Sequence, residues 1–130
     1  MLVKDLDRPN GIALSPDEKF LYVNDSAKRT ITRYEVQRDG SVANGKLFAD
    51  MSTGTGTGNP DGMKFDAIGN LYSVGPGGIW VFSPDGKHLG TIVPPEFAPG
   101  FTFGDPDGKS LYMAASTRLA RIRLNTAGAR

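Results

Sequence analysis

The sequence predicts an all-β fold, and three observations support this prediction. Short apolar runs rich in β-branched and aromatic residues recur along the chain and end at turn residues, as strands do. Glycine and proline are frequent, with 17 and 9 among 130 residues, which favours short strands and tight turns over long helices. No segment of about eleven residues or more keeps the i, i+3, i+4 apolar spacing of an amphipathic helix. We therefore expect a single β domain with little helix.

The apolar runs predict eleven strands. In chain order they lie at 11–14, 20–23, 31–36, 46–48, 63–65, 71–74, 79–82, 89–93, 101–103, 111–114 and 119–124. Four Asp-Gly pairs punctuate these runs: Asp39-Gly40, Asp61-Gly62, Asp85-Gly86 and Asp107-Gly108. Aspartate and glycine tolerate the positive φ of tight turns, so we expect several of these pairs to link antiparallel strands.

Three segments of the chain share one plan. They are NGIALSPDEKFLYVNDS (10–26), DGMKFDAIGNLYSVG (61–75) and GFTFGDPDGKSLYMAAS (100–116). Each has an apolar strand, a polar turn and a Leu-Tyr pair that opens a second strand, and we expect the tyrosines to pack between units. Two further strands follow the first segment, two follow the second, and only one follows the third. Units of four antiparallel strands in roughly 40–50 residues predict β-propeller blades.

This count leaves the third unit one strand short. We predict a half-propeller domain made of blades at 10–60, 61–99 and 100–124, with a tail at 125–130. Residues 1–9 include a strand-like run at 2–6 that would supply the missing outer strand. Three blades are below the usual four to eight of a ring, so we expect two chains to exchange these strands in a six-bladed homodimer. A truncated product or gene fragment is the other interpretation.

Charge and composition exclude several classes of protein. Fifteen basic and 14 acidic residues give a net charge of +1, which argues against a nucleic-acid or membrane-surface binder. No apolar run approaches the roughly 20 residues of a membrane span. The chain has no cysteine, so disulfides, thiolate metal sites and cysteine nucleophiles are excluded. Lys4, Asp5 and Asp7 interrupt the region where a secretory leader is apolar, and we expect a cytoplasmic protein.

Three motifs carry a resemblance to a known family: RPNGIALSPDEKFLYVNDS, NPDGMKFDAIGNLYSVGPGGIWVFSPDGKHLG and FTFGDPDGKSLYMAAS. In this order they resemble the gluconolactonase family, the lactonase group that includes regucalcin, also called senescence marker protein. The resemblance covers residues 3–124 and matches the C-terminal half of a usual member. It implies a six-bladed propeller with a divalent metal in its central channel, and hydrolysis of sugar lactones or similar cyclic esters.

The resemblance also implies roles for two residues. Asn10, in the PNG motif, corresponds to a metal ligand that binds through its side-chain oxygen. Asp61, in the PDG motif, corresponds to a metal ligand and general base. The family's N-terminal glutamate ligand and a further asparagine belong to blades that this sequence does not include. Pro99-Gly100 stands where the family usually has Thr-Asn.

The residue types support the same chemistry. Carboxylate and amide oxygens suit a hard cation such as Ca²⁺, with Zn²⁺, Mn²⁺ and Mg²⁺ as alternatives. Asn10 and Asp61 both open the first strand of a unit, so we expect them at similar height in the channel. A two-fold dimer would surround one ion with two of each. The metal would polarise a lactone carbonyl while a carboxylate accepts a proton from water. An inactive binding or structural module is the alternative function.

Competing interpretations apply to each candidate. Asp61-Gly62 and Asn10-Gly11 also fit simple turns. His88, the only histidine, is interpreted as a solvated residue on an outer strand. No histidine is placed to activate Ser26, which argues against a Ser-His-Asp triad. The Thr-Gly run at 53–58 lacks the lysine and helix start of a phosphate-binding loop, so a flexible loop is the preferred interpretation.

Overall fold

The computed structural model describes all 130 residues and contains eleven β-strands. They are β1 (Pro9–Leu14), β2 (Phe20–Asp25), β3 (Thr30–Val36), β4 (Val42–Asp50), β5 (Met63–Phe65), β6 (Leu71–Gly75), β7 (Gly78–Phe82), β8 (His88–Ile92), β9 (Gly100–Gly104), β10 (Ser110–Ala114) and β11 (Leu119–Arg123). Strands β1 to β4, β5 to β8 and β9 to β11 form three antiparallel sheets in sequence order. We call them blades one, two and three; they confirm the predicted all-β fold of propeller blades. No helix is long and apolar enough to cross a membrane.

Three of the four Asp-Gly pairs form tight turns between antiparallel strands. Asp39-Gly40, Asp85-Gly86 and Asp107-Gly108 have positive φ values of 81°, 88° and 69° at their glycines. In each pair the aspartate carboxylate accepts a hydrogen bond from another residue of the turn. Asp61-Gly62 differs, because it lies before β5, forms no turn and has no positive φ at its glycine. The turn interpretation of this pair is therefore wrong.

Two of the three tyrosines of the Leu-Tyr pairs pack between adjacent blades, whereas the hydroxyl of the third, Tyr112, donates to Asp105 within blade three. Tyr22 of blade one meets Phe65 of blade two edge to face, with ring centroids 5.0 Å apart. Tyr72 of blade two meets Phe103 of blade three in the same way at 5.2 Å. Burial raises the pKa of Tyr72 to about 12, so its hydroxyl stays neutral at physiological pH. Two buried apolar clusters hold the blades in a row and fix the starts of their first strands relative to one another.

The segment before β1 lies against blade one of its own chain. Residues 2–6 form no strand within the single chain, so the exchange of this run as an outer strand stays a prediction. The Lys28 Nζ group donates a 3.0 Å hydrogen bond to the carbonyl of Asp5. Residues 1–5 also border a surface cavity beside Tyr34. These contacts take the place of pairing with a sheet edge, and this conformation lends no support to the predicted exchange of the segment.

The carboxylate of Asp25 explains why this segment bends toward blade one. It accepts the backbone N–H groups of Asp7 at 2.7 Å and Arg8 at 3.2 Å, and those of Ala27 and Lys28 at 3.0 Å. Burial acts to raise the pKa of Asp25, but these four donors outweigh it and hold the pKa below its usual value. The charged carboxylate therefore ties the segment and the following turn to the end of β2.

The tail at 125–130 pairs with blade two, a contact that the sequence analysis does not anticipate. The Ala67 N–H group donates to the carbonyl of Ala127 at 2.8 Å, and the Ala129 N–H group donates to the carbonyl of Phe65 at 2.9 Å. Because these bonds form at and just after the last residue of β5, they join the tail to blade two at the opposite end of β5 from Asp61.

Candidate functional site

The two predicted ligands lie at the starts of neighbouring first strands. Asn10 is in β1 of blade one, and Asp61 lies two residues before β5 of blade two. The Asn10 Nδ2 group donates a 3.2 Å hydrogen bond to the carbonyl of Pro60. Gly11 approaches Asp61 so closely that a Cβ at this position would overlap the Asp61 carbonyl oxygen. The fold therefore brings the backbones of the two candidate residues together at one end of adjacent blades.

The carboxylate of Asp61 has no partner within the chain. The backbone of Asp61 is engaged, because its carbonyl accepts a 2.6 Å hydrogen bond from Asn24 Nδ2. Neither carboxylate oxygen accepts a hydrogen bond or joins an ion pair, although the residue is half-buried. The aspartates of the three Asp-Gly turns all use their carboxylates to hold the turn. The Asp61 carboxylate is therefore free to meet a cation, a water or a substrate.

Asn10 presents a second free oxygen at the same place. Its Nδ2 group is occupied by the carbonyl of Pro60, and no donor of the chain reaches its Oδ1. The side chain is exposed. Since Pro60 directly precedes Asp61, this hydrogen bond ties the Asn10 amide to the loop that carries the free carboxylate.

These oxygens fit part of the shell of a hard divalent cation. Carboxylate and amide oxygens are ligands that Ca²⁺, Mg²⁺ and Mn²⁺ accept. A calcium ion takes about six to eight oxygens, so Asn10 and Asp61 alone leave most positions to water or other groups. The chain has no group of three or more histidine, aspartate or glutamate side chains that would hold a metal. The donor set is therefore that of an open site rather than a closed cage.

Arg29 adds a positive charge beside the same loop. It lies between β2 and β3 with a φ of 56°, in the left-handed region that is uncommon for residues other than glycine. Its Nε donates a 3.1 Å hydrogen bond to Asn59 Oδ1, two residues before Asp61, and it forms no ion pair with a carboxylate. From the sequence, Lys28-Arg29 is interpreted as an ordinary charge pair in a turn, and the contact with Asn59 is visible only in the structure.

The competing candidates have structural roles. His88 is exposed in β8, and its ring stacks on Trp80 with centroids 4.2 Å apart. The Ser26 hydroxyl donates to a backbone carbonyl, and the Asp25 carboxylate accepts backbone N–H groups, so these residues form no triad with a histidine. The Thr-Gly run at 53–58 contains no strand or helix. None of these groups therefore competes with the pair of free oxygens.

Three consecutive antiparallel sheets of three or four strands define the class of protein, an all-β chain of propeller blades. The family model described as SMP-30/Gluconolactonase/LRE-like region matches residues 1–117. The chain belongs to this family, which confirms the resemblance inferred from its motifs.

Relatives and solved structures agree with this family. The chain is 39% identical to a gluconolactonase of Zymomonas mobilis over 95% of its own length and 36% of that protein. The structure of a gluconolactonase from Xanthomonas campestris matches with a TM-score of 0.80 and 36% identity, covering 94% of this chain and 39% of that one. A calcium-binding regucalcin from Agrobacterium tumefaciens matches with a TM-score of 0.78 and 23% identity, covering 98% and 49%, and this likeness concerns the fold alone. The chain thus spans well under half the length of the gluconolactonases it matches.

Proposed function

We propose that this chain acts in the metal-dependent hydrolysis of a sugar lactone or related cyclic ester in the cytoplasm, with Asp61 as metal ligand and general base and Asn10 as metal ligand. The observation that carries the proposal is the free Asp61 carboxylate, at a position where an ordinary Asp-Gly turn would occupy it, on the loop to which the Asn10 side chain is hydrogen-bonded. The gluconolactonases among the relatives support lactones as the substrate class.

The proposed chemistry divides the tasks among the ion, Asp61 and Asn10. A bound divalent ion, with Ca²⁺ proposed ahead of Zn²⁺, Mn²⁺ or Mg²⁺, would supply Lewis acidity at the lactone carbonyl. Asp61 accepts a proton from the attacking water, whose oxygen forms the new bond to the carbonyl carbon. The ring C–O bond then breaks, and the proton passes to the departing ring oxygen to give an open hydroxy acid. Asn10, whose Nδ2 group is held by the carbonyl of Pro60, would offer its Oδ1 to the ion.

We also propose that two copies of the chain complete a six-bladed ring. Each copy would supply three blades, at 10–60, 61–99 and 100–124. Ile12 and Leu14 of blade one are 61% and 46% exposed, whereas Met63 and Phe65 at the same repeat positions of blade two are buried by blade one. A second copy's blade three would cover this apolar face, and β11 has a free edge. One Asp61 would then bind the ion while its mate serves as base, because direct ligation weakens a carboxylate as a base.

Lactone hydrolysis with and without metal tests the proposed activity. The purified chain is assayed on five- and six-membered aldonolactones after chelation, and again after addition of Ca²⁺, Zn²⁺, Mn²⁺ or Mg²⁺. We expect turnover that the chelator removes and at least one ion restores, because the ion polarises the carbonyl. Absence of turnover with every ion would contradict the proposal and favour the alternative, a non-catalytic binding or structural module.

Light scattering tests the proposed assembly. We expect the full chain to show twice its mass of 13.9 kDa. Deletion of residues 1–7 separates two routes to the dimer: conversion to a monomer would support an exchanged outer strand, and a persistent dimer would assign the contact to the face around Ile12 and Leu14. A monomeric full chain would refute the assembly altogether.

A further inference from the structure

A fully buried amide joins the two strand starts that carry the proposed ligands. Asn24 lies in β2 with no exposed surface. Its Oδ1 accepts the N–H of Gly11, the residue after Asn10, at 2.7 Å. Its Nδ2 donates to the carbonyl of Asp61 at 2.6 Å and to Ser73 Oγ at 3.3 Å. One side chain therefore bonds to the backbone beside both candidate ligands.

The hydrogen-bond partners of Asn24 fit its side-chain amide in only one orientation. The backbone N–H of Gly11 needs an acceptor, and the backbone carbonyl of Asp61 needs a donor. A flipped Asn24 amide would set its NH₂ group against the Gly11 N–H and its oxygen against the carbonyl. A Cβ at Gly11 would overlap the Asp61 carbonyl oxygen, so the two segments approach closely where the Asn24 amide bonds to both.

The other repeats do not need a polar side chain at this position. Alignment on the Leu-Tyr pairs places Val74 of blade two and Ala114 of blade three where blade one has Asn24. An apolar residue therefore suffices for the second strand of a blade. Burying an amide is favourable only when its hydrogen bonds are satisfied, and here its partners are the segments of the proposed site.

We propose that Asn24 is a positioning residue that sets the spacing between Asn10 and Asp61, so that their free oxygens can meet one ion. This inference rests on the proposed metal site for its consequence, but the spacing itself is a property of the metal-free chain. Supporting residues that orient metal ligands typically contribute about 10–100-fold to metal affinity. A purely structural role would instead affect the stability of the whole chain.

The test compares Asn24→Val, which installs the residue of the second repeat, with Ser73→Ala as matched control. Ser73 is equally buried and accepts a hydrogen bond from the same amide, but its own hydroxyl donates to the Val74 carbonyl and forms no hydrogen bond to Asp61. Two quantities are measured on each full chain: the Kd for Ca²⁺ alone by titration calorimetry, and the hydrogen-exchange rates of the metal-free backbone amides. If the valine variant does not fold, Asn24→Ser replaces it in the test. The serine hydroxyl is too short to reach both the Gly11 N–H group and the Asp61 carbonyl.

For Asn24→Val we expect the Kd for Ca²⁺ to rise about 10-fold or more, with faster exchange at Gly11 and unchanged exchange in β7. For Ser73→Ala we expect lower thermal stability with the wild-type Kd and wild-type exchange at Gly11. A valine variant that keeps the wild-type Kd, or equal weakening of Ca²⁺ binding in both variants, would overturn the inference. If the wild-type chain binds no Ca²⁺, the proposed metal site fails, and unchanged exchange at Gly11 in the valine variant would separately overturn the positioning role.

Discussion

Asp61→Asn is expected to abolish metal-dependent lactone hydrolysis, with a loss of about 10²–10⁴-fold in kcat/KM. The amide keeps the size of the side chain but removes the negative charge proposed to bind a cation and the base proposed to accept a proton. Because the Asp61 carboxylate accepts no hydrogen bond in the fold, its replacement should leave the free energy of unfolding close to that of the wild type. Steady-state kinetics with added metal and urea denaturation measure the two effects.

Asp39→Asn is the control for this substitution. Asp39 also begins an Asp-Gly pair, but its carboxylate accepts the N–H of Ser41 at 2.9 Å and holds a turn. We expect this variant to lose some stability and to keep its activity. The assignment of Asp61 would be wrong if both variants were equally active, or if Asp61→Asn unfolded the chain while Asp39→Asn did not.

Gly11→Ala is expected to disrupt the same site through backbone displacement. The new Cβ would overlap the Asp61 carbonyl oxygen and also lie 2.7 Å from Asn24 Nδ2, so the two strand starts must move apart. Overpacking of this kind typically costs about 1–3 kcal/mol of stability. A displacement of about 1 Å in a catalytic group costs about 100-fold in rate, and we expect a loss of kcat/KM of this order with weaker Ca²⁺ binding.

Gly100→Ala is the matched control, because Gly100 stands at the same repeat position in blade three and a Cβ there meets nothing within 4 Å. Neither glycine has a positive φ, so the comparison isolates steric overlap from backbone strain. We expect Gly100→Ala to resemble the wild type in unfolding free energy, Ca²⁺ affinity and kcat/KM. Equal effects of the two substitutions would show that contact with Asp61 is not the cause.

The eleven strands were predictable because their signal is local. Each of the eleven apolar runs predicted as strands forms a strand. Three of the Asp-Gly turns follow from the φ preferences of aspartate and glycine. The bounds were less predictable where a strand is irregular. Strand β4 was predicted at 46–48 but covers Val42–Asp50, because Asn44 with a φ of 53° and irregular pairing interrupt the alternation of apolar and polar residues.

The sequence by itself determined the strands, the repeat and the family, since these depend on residue types and short spacings, and the family resemblance pointed to Asn10 and Asp61 as candidates. Only the tertiary structure decided that Asp61-Gly62 is not a turn, that residues 2–6 lie on their own blade, and that the tail pairs with blade two. Each of these outcomes depends on hydrogen bonds between segments far apart in the chain. The bond from Asn24 to Asp61 spans 37 residues, and no local pattern encodes a contact that forms only when two blades pack together.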